Sequence, residues 1–478
     1  MKIEDLILKF PHLPKQIFQK LDIESLFKCR EVARSWQNII NEKNYPWICI
    51  VNIPTILKEK NIYLHLAEET GQIEAVKTAL NEEENKNIKN ELGETLFHLA
   101  CKNGHFLIVQ ELMKNTNLEM DSNAKHNNGI DLNTKDNDGL TGFNWACKKG
   151  STNVVKVFID AAYSLSIGPN RKFKFYGTGL HQACERGHLD VVKILIENAF
   201  ILSIDLNIQT FRDRTAFQKA CIAGQSDVVK IFIENTANSS LDLWTKDYQG
   251  LAGFHWACRK GHSNVVKIFK ENASAFNIDL NRTDNGGLTG FHWVCQSIQL
   301  DLIKTFMENA SALIIDLNRK DNDGQTGFHW ACEKGHSEAI QILMENATAL
   351  KIALNRKKQW TGFHFVCMKS RSDVARKKSL DVVKIFMNNA SALSIDLNGK
   401  DNHGWTGFHC VFVHGHSGMV KIFMENASAL GIDLNAKDNN DWTDSQRAYH
   451  MNYSNVIQIF KENAAILGIN LNRKENNF

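Results

Sequence analysis

Residues 321–357 read DNDGQTGFHWACEKGHSEAIQILMENATALKIALNRK, and nearly the same wording recurs along most of the chain. Its threonine position recurs every 37 residues, at Thr141, Thr178, Thr215, Ala252, Thr289 and Thr326. A shifted spacing brings it to Thr361, Thr406 and Thr443, and diverged copies begin near Thr95 and Ile62. Copies of one unit predict a stacked array, in which each unit buries its apolar face only against its neighbours. Such an array presents a long surface, so the pattern favours binding over catalysis.

Each unit predicts two short helices separated by a turn. The Asp-Asn-Asp-Gly sequence is turn chemistry, and Gly324 can adopt a positive φ there. Thr326 is placed to cap the N-terminus of a first helix over 327–334, which Gly335 would end. Ser337 then begins a second helix, whose apolar residues recur at helical spacing. The unit is therefore a helix, a turn, a second helix and a hairpin-like loop.

This wording resembles the ankyrin repeat, whose consensus runs Asp-x-x-Gly-x-Thr-Pro-Leu-His-x-Ala-Ala before Gly-His and a second apolar helix. The resemblance covers 62–478 and implies an all-α fold, an ankyrin-repeat solenoid of about eleven helix-turn-helix units. The units are expected to start near residues 62, 95, 141, 178, 215, 252, 289, 326, 361, 406 and 443.

The chain departs from that consensus in two ways. Its unit has 37 residues, whereas the family's unit has about 33; the extra residues fall at the end of the second helix. Thr-Gly-Phe also replaces Thr-Pro-Leu at the start of the first helix. Because proline is pre-set for the first helical position, its loss predicts a helix start that is less stable by about 1 kcal/mol or less.

Two insertions interrupt the period. Residues 115–133 are rich in asparagine and predict a solvated loop. Residues 368–380 (MKSRSDVARKKSL) are basic and also predict a solvated loop at the edge of the solenoid. The alternative for this basic insertion is a nuclear import signal.

Bulk composition narrows the class of protein. The formal net charge is +3 with both signs interspersed, which predicts neither a nucleic-acid nor a membrane partner. The opening MKIEDLILKF matches neither a signal peptide nor a transit peptide, and no run of 18 apolar residues would span a bilayer. Most cysteines fall in one repeated slot, which predicts packing positions in a reducing compartment. We therefore expect a cytoplasmic or nuclear protein.

The segment before the array does not follow the repeat, and its apolar spacing predicts two or three short amphipathic helices. It resembles the F-box motif over residues 8–50. The matching stretches are Phe10-Pro11 or Leu13-Pro14, then Ile17-Phe18-Gln19-Lys20-Leu21-Asp22, and Cys29-Arg30-Glu31-Val32-Ala33-Arg34-Ser35-Trp36. Residues 51–61 are expected to form a packed connector to the array at 62–478.

The F-box resemblance implies a partner and a set of contacts. In that family the motif docks on the Skp-type adaptor of a cullin-RING ubiquitin ligase, and the rest of the chain captures the substrate. Carried over to this sequence, the residues facing the adaptor would be Pro11, Leu13, Pro14, Ile17, Phe18, Leu21, Leu26 and Val32. Trp36 is expected to hold the small helices together instead.

Two repeated patterns have a chemical alternative. Histidine and cysteine recur three residues apart, as in His329 and Cys332, and that spacing on a helix can hold zinc. The cysteine nevertheless takes the core alanine slot of the consensus, so we predict packing, with no metal and no cofactor. The tryptophans at Trp145, Trp256, Trp293 and Trp330 could stack on nucleic-acid bases, but burial between units is favoured. No motif for catalysis is present, so we predict that the protein is not an enzyme.

The substrate surface is expected at the turn tips, which with the exposed side of the first helices form the usual ankyrin groove. The slot between the turn glycine and the capping threonine supplies the predicted contacts: Leu140, Arg214, Leu251, Leu288, Gln325, Trp360, Trp405 and Trp442. Three tryptophans in consecutive units are unusual on a solvated edge, and aromatic anchors dominate binding hot spots. Alternatively, each ring lies flat on its own turn.

The favoured function is that of a substrate receptor in an SCF-type ubiquitin ligase, with the F-box on the adaptor and the array on a protein substrate. The alternative is an ankyrin scaffold or inhibitor whose helical head only caps the array. Binding of a Skp-type adaptor would distinguish these two functions.

Overall fold

The computed structural model describes residues 89–114, 129–161, 177–236, 241–356, 360–368, 373–413 and 416–469, with Ile73, Val76, Asn87 and Thr116. The chain divides into two compact units, residues 1–205 and 206–478. Among the described residues of both units, the regular elements are all helices, joined by turns and loops with isolated β-bridge residues such as the pair Lys437 and Thr443. Each unit is a stack of helix pairs, as the repeat predicts.

In unit 1 the described helices are α1 (Leu96–Asn103), α2 (Phe106–Lys114), α3 (Gly142–Lys149), α4 (Thr152–Ala161), α5 (Gly179–Arg186) and α6 (Leu189–Glu197). In unit 2 they begin with α7 (Ala216–Ala223), α8 (Ser226–Glu234), α9 (Gly253–Lys260), α10 (Ser263–Asn272), α11 (Gly290–Gln296), α12 (Leu300–Asn309), α13 (Gly327–Lys334), α14 (Ser337–Glu345) and the short α15 (Ala347–Leu350). They continue with α16 (Gly362–Met368), α17 (Asp373–Asn389), α18 (Gly407–Val413), α19 (Ser417–Leu430), α20 (Asp444–His450) and α21 (Ser454–Leu467).

The first helix of each pair is set by local chemistry at both ends. Helix α7 starts after Thr215, whose Oγ1 accepts a hydrogen bond from the backbone N–H of Gln218 at 3.2 Å. The Gln218 side chain returns a bond, accepting from the Thr215 N–H at 2.7 Å. Gly224 ends the helix in the left-handed conformation, with φ of 76°. Because helices this short are marginal in isolation, both caps and the stacking of neighbours are needed to hold them.

Phenylalanine rings form the core between successive pairs in unit 2. The ring centroid of Phe254 in α9 lies 4.9 Å from that of Phe269 in α10 and 6.4 Å from that of Phe306 in α12. All three side chains are buried. Burial of each such side chain contributes on the order of 2 kcal/mol, so these shared rings help to hold adjacent pairs together.

The Thr-Gly-Phe start has a packing reason that the sequence did not reveal. A Cβ added to Gly290 at the start of α11 would lie 2.5 Å from Phe254 Cε1 and 2.9 Å from Cys258 Sγ. A proline or alanine at this position would collide with the preceding repeat's phenylalanine. Glycine lacks the fixed φ that proline would give the helix start. It allows the first turn of the helix to approach the phenylalanine and cysteine of the preceding repeat closely.

An asparagine ladder joins the loops that follow the second helices of unit 2. The Asn281 Oδ1 accepts from the Asp316 N–H at 2.7 Å, while its Nδ2 donates to the Ile314 carbonyl at 2.8 Å. Asn318, Asn355 and Asn398 repeat both bonds toward the following repeat. Each asparagine thus satisfies two backbone groups of its neighbour, which fixes the spacing of the loops.

The asparagines of the Asn-Ala-Ser/Thr sequences bond back to their own second helices. The Asn272 Nδ2 donates to the Ile268 carbonyl, four residues earlier, at 2.8 Å. The same bond recurs at Asn309, Asn346, Asn389 and Asn426. The repeated sequence is therefore explained by a side-chain bond to the carbonyl four residues earlier.

The predicted loop at 368–380 is wrong for residues 373–380. Helix α17 begins at Asp373 and runs for 17 residues, so the insertion prolongs the second helix of its pair. Lys377 and Lys378 are exposed and Ser379 is buried. The inserted residues are mostly good helix formers, and they continue the period of the helix that follows. The asparagine-rich insertion at 115–133 lies mostly outside the described residues.

Across the described ranges, no helix combines the length and apolarity needed to cross a bilayer.

Candidate functional site

The turn tips are organised by a buried aspartate. The Asp247 Oδ1 accepts from the backbone N–H groups of Gln249 and Leu251 at 3.0 and 3.1 Å. Its Oδ2 accepts from Trp256 Nε1, on the first helix, at 2.8 Å. One carboxylate therefore shapes the tip and ties it to α9, as side-chain-to-backbone bonds of aspartate do in tight turns.

The tip-to-helix bond recurs in other repeats and fixes the edge of each indole. The pairs are Trp145 with Asp136, Trp256 with Asp247, Trp293 with Asp284 and Trp330 with Asp321, at 2.8 to 3.0 Å. In the last described repeat Arg447 takes the tryptophan's place and donates to Asp438. Trp145 and Trp256 are buried and the other two indoles are half-buried. This geometry agrees with the favoured interpretation of these tryptophans, which is packing between neighbouring repeats.

Two of the predicted contact residues are core residues, which corrects that part of the predicted surface. Leu140 is 1% exposed and Leu251 is 3% exposed. Their backbone carbonyls accept bonds from the preceding first helix, Leu140 from His98 Nε2 at 3.0 Å and Leu251 from Gln218 Nε2 at 2.9 Å. Because both leucine side chains are buried, they cannot contact a partner.

The other predicted tip contacts in the first part of unit 2 are half-buried. Leu288 and Gln325 belong to this class. Arg214 is also half-buried, and its Nε lies 3.3 Å from Asp247 Oδ2 in the next repeat. The tip slot is therefore neither a free polar edge nor a uniform apolar surface.

The three tip tryptophans are half-buried, and each contacts a different neighbour. Trp360 Nε1 donates to Asp401 Oδ2 of the following repeat at 3.1 Å. The Trp405 ring lies 5.1 Å from the guanidinium carbon of Arg447. The Trp442 ring meets His450 edge-on, with centroids 5.3 Å apart. Trp360 and Trp405 thus contact the next repeat rather than only their own turn, and all three rings keep a solvent-facing part.

The histidines of the His/Cys pairs use both ring nitrogens in hydrogen bonds. His292 Nδ1 accepts from the Thr289 N–H at 3.0 Å, and its Nε2 donates to the Gln325 carbonyl at 3.2 Å. Burial lowers the pKa of His292, so the ring is neutral. Burial also raises the pKa of the Cys295 thiol well above its usual range.

A zinc site needs a free imidazole nitrogen and a thiolate, and this pair presents neither. Within the part of the chain that the structure describes, no group of three or more His, Cys, Asp or Glu side chains is arranged to hold a metal ion. The His/Cys spacing is therefore explained by capping and packing.

The structure contains a chain of stacked cations and indoles that the sequence did not predict. The guanidinium carbon of Arg214 lies 4.7 Å from the Trp256 ring centroid. Arg259 lies on the same ring at 5.0 Å and on the Trp293 ring at 4.8 Å. We call these four residues the Arg–Trp ladder. The sequence signal for it is an arginine seven residues after the capping position, at the end of the first helix.

The predicted adaptor-facing residues Pro11, Leu13, Pro14, Ile17, Phe18, Leu21, Leu26 and Val32 all lie outside the described residues, as do the boundaries 8–50 and 51–61.

A family model for the repeat matches this chain. A family model described as Ankyrin repeats (3 copies) matches residues 64–158, 124–210, 161–242, 180–284, 254–358 and 291–377. No curated protein matches the chain. Among solved structures, the ankyrin repeat domain of Bcl-3, a member of the IkappaB protein family, is 18% identical with a TM-score of 0.40, covering 48% of this chain and 92% of that one. The human ASB11 ankyrin repeat domain is 20% identical with a TM-score of 0.37, covering 48% of this chain and 89% of that one.

Proposed function

Because this chain belongs to the ankyrin-repeat family, whose repeats mediate protein–protein interaction, we propose that it is the substrate-receptor subunit of an SCF-type cullin-RING ubiquitin ligase. Residues 8–50 bind the Skp-type adaptor and through it the cullin, and the array binds a protein substrate. The ankyrin fold is typically a non-enzymatic interaction scaffold. The role proposed for this chain is accordingly to position the substrate near the ubiquitin-loaded enzyme, which raises its effective concentration there.

One observation carries the ligase part of the proposal. From Ile17 to Trp36 the order and spacing of apolar, cysteine, arginine and tryptophan residues follow the F-box motif, and this segment directly precedes the array. About forty residues bury too little apolar surface to be stable alone. A segment of this kind is stabilised by packing on another protein or on the array, and its apolar side is suited to an adaptor.

The substrate is proposed to contact the tip slot where side chains are accessible. Arg214, Leu288 and Gln325 remain in that surface, together with the three tip tryptophans. Leu140 and Leu251 do not, because both are buried. Half-exposed indoles held by a hydrogen bond or a stacked neighbour lose little side-chain entropy on binding, which suits them as anchors.

The test is complex formation between purified full-length protein and a Skp-type adaptor, measured by calorimetry. The variant Ile17→Asp/Leu21→Asp places two charges on the predicted adaptor face and is expected to abolish binding. The matched control is Gln19→Asp, which adds a charge at a polar position of the same segment and is expected to bind like the parent.

Absence of binding by the intact, folded protein would reject the ligase role. It would leave the alternative function, an ankyrin scaffold or inhibitor that binds its partner without an adaptor. Binding that survives the double variant would show that the adaptor contacts a different surface.

A further inference from the structure

The Arg–Trp ladder crosses three consecutive repeats of unit 2. Arg214 precedes α7, Trp256 and Arg259 lie one turn apart on α9, and Trp293 lies on α11. Trp256 has a cation over its ring at 4.7 Å and another at 5.0 Å, and Arg259 contacts two rings, at 5.0 and 4.8 Å. The indoles are anchored in turn by Asp247 and by Asp284 of the tips.

The two arginines of the ladder differ in their electrostatic partners. Arg214 Nε lies 3.3 Å from Asp247 Oδ2, which offsets its charge. Arg259 donates to the neutral amide oxygen of Gln249 at 3.3 Å. No carboxylate of the described residues lies within ion-pair distance of Arg259, and the neighbouring Lys260 is exposed. Arg259 is therefore a half-buried guanidinium that has no neutralising carboxylate among the residues that the structure describes.

Stacking determines how this guanidinium can be used. The guanidinium carbon of Arg259 lies 5.0 and 4.8 Å from the two indole centroids. In cation–π stacking the N–H donors of a guanidinium lie in its plane, so they are not used up by the contact with the rings. Their fork matches the two oxygens of a carboxylate. Because Arg259 is held in place, less side-chain entropy is lost when it binds.

The same geometry disfavours nucleic-acid bases as the ligand. A base would need an open indole face, but Trp256 is buried and has a cation over its ring from two different arginines. Trp293 is half-buried and has Arg259 over its ring. The overall net charge of +3 also provides little attraction for a polyanion.

We propose that the Arg–Trp ladder docks an acidic segment of a protein partner, with a Glu or Asp side chain bound by the guanidinium of Arg259. This proposal deepens the proposed function, since it rests on the array being the partner-binding part of the chain. It does not depend on the adaptor: a failure of adaptor binding leaves this proposal standing, and the reverse also holds.

The test uses the full-length protein and fluorescence anisotropy of a labelled Glu-Ser repeat peptide at low ionic strength. A Gln-Ser peptide of the same length isolates the contribution of charge. We expect the acidic peptide to bind and the neutral one not to bind. Arg259→Gln should weaken binding of the acidic peptide by about tenfold or more, because the hydrogen-bonded charge pair with the guanidinium is lost.

Two further variants separate the site from general charge. Lys267→Gln removes one positive charge at an exposed position of α10, away from the ladder, and should leave peptide affinity within about twofold of the parent. Arg259→Lys keeps the charge but loses the planar fork, so its affinity should fall between those of the parent and Arg259→Gln. Thermal unfolding of each variant identifies any that fail to fold.

The proposal is overturned if both peptides bind alike, or if Arg259→Gln and Lys267→Gln weaken binding equally. It is also overturned if an oligothymidylate of matched charge binds more tightly than the acidic peptide and depends on Arg259. That result would assign the ladder to nucleic-acid phosphates instead.

Discussion

The imidazole of His292 joins two repeats by accepting from the backbone N–H of Thr289 and donating to the carbonyl of Gln325, 33 residues further on. The first bond caps the N-terminus of α11, and the second holds the next turn tip. A protonated imidazole has no acceptor, so protonation breaks the first bond. The same side chain therefore sets both a helix end and the register between repeats, but only when it is neutral.

Stability is predicted to fall as the pH drops below about 6.5. Burial lowers the pKa of His292 and His329 from that value, and lowers the pKa of His409 to about 4. Between the pKa of each histidine in the folded chain and its pKa of about 6.5 in the unfolded chain, the unfolded chain binds protons that the folded chain does not. The contribution is therefore present above the unfolded pKa and is lost as the pH falls toward the folded pKa. Urea unfolding between pH 7.5 and 5 measures this loss.

Replacing these histidines by glutamine should flatten that pH dependence. Gln218 occupies the same slot in another repeat and makes both bonds, accepting from Thr215 N–H and donating to the Leu251 carbonyl. His292→Gln/His329→Gln is thus expected to fold and to lose less stability than the parent on acidification. Parallel pH profiles for the two proteins would show that these imidazoles do not cause the loss.

Among the described first helices, α9 lacks the threonine cap, and we predict that restoring it increases stability. Ala252 has no side-chain oxygen for the first turn of α9, although His255 Nδ1 still accepts from its N–H at 3.1 Å. Ala252→Thr should raise the free energy of unfolding by about 1 kcal/mol. Thr215→Ala removes a formed cap and should lower it by about the same amount. Equal melting curves for both variants and the parent would contradict the capping role.

Ile298 is predicted to be a strained residue. It stands where most other described repeats have the glycine that ends the first helix, and its φ is 58°. A β-branched side chain in the left-handed region costs about 1 kcal/mol or more, so Ile298→Gly should raise the midpoint of denaturant unfolding. In the next repeat, Gly335 has a φ of 68°, and a methyl group added to it would meet no atom within 4 Å.

That open space makes Gly335→Ala the matched control. Any loss of stability in this variant reflects backbone conformation rather than a clash, and it should be about 1 kcal/mol. If Ile298→Gly is destabilising while Gly335→Ala is neutral, backbone strain is not the dominant effect at this position.

Asp444 is predicted to destabilise the last described repeat at neutral pH. It is fully buried at the first position of α20, where most other repeats have glycine, and neither carboxylate oxygen has a hydrogen-bond partner among the described residues. Burial raises the pKa of its carboxyl well above 3.8. The stability that the protonated Asp444 carboxyl contributes is therefore lost as the pH rises from 3.8 through the pKa of this group in the folded chain.

Asp444→Ala should accordingly stabilise the protein by about 1 kcal/mol or more at pH 7.5, and by less at pH 5. Asp444→Asn keeps a polar side chain of similar size without a titrating group, and serves as the control for pH dependence. An equal effect of Asp444→Ala at both pH values would contradict ionisation as the cause. Thermal or urea unfolding of the full-length protein provides the measurement.

Sequence reasoning is accurate where structure depends on residues close in the chain. Thr326 and Gly335 predict the bounds of a helix at 327–334, and α13 has those ends. It fails where the deciding contact comes from another repeat. Leu140 is expected at the surface but is buried, and the basic insertion is expected to be a loop but is helical from Asp373 to 380.

The sequence by itself determined the unit, its caps and its all-α class, because a helix start or stop is decided by side chains within about four residues. Only the tertiary structure decided which tip residues are accessible and which cations are paired. Arg259 contacts Trp293, 34 residues later in the chain, because the stacking of repeats brings the two side chains together. Burial and ion pairing depend on neighbours in space, and a repeat spacing does not specify their distances.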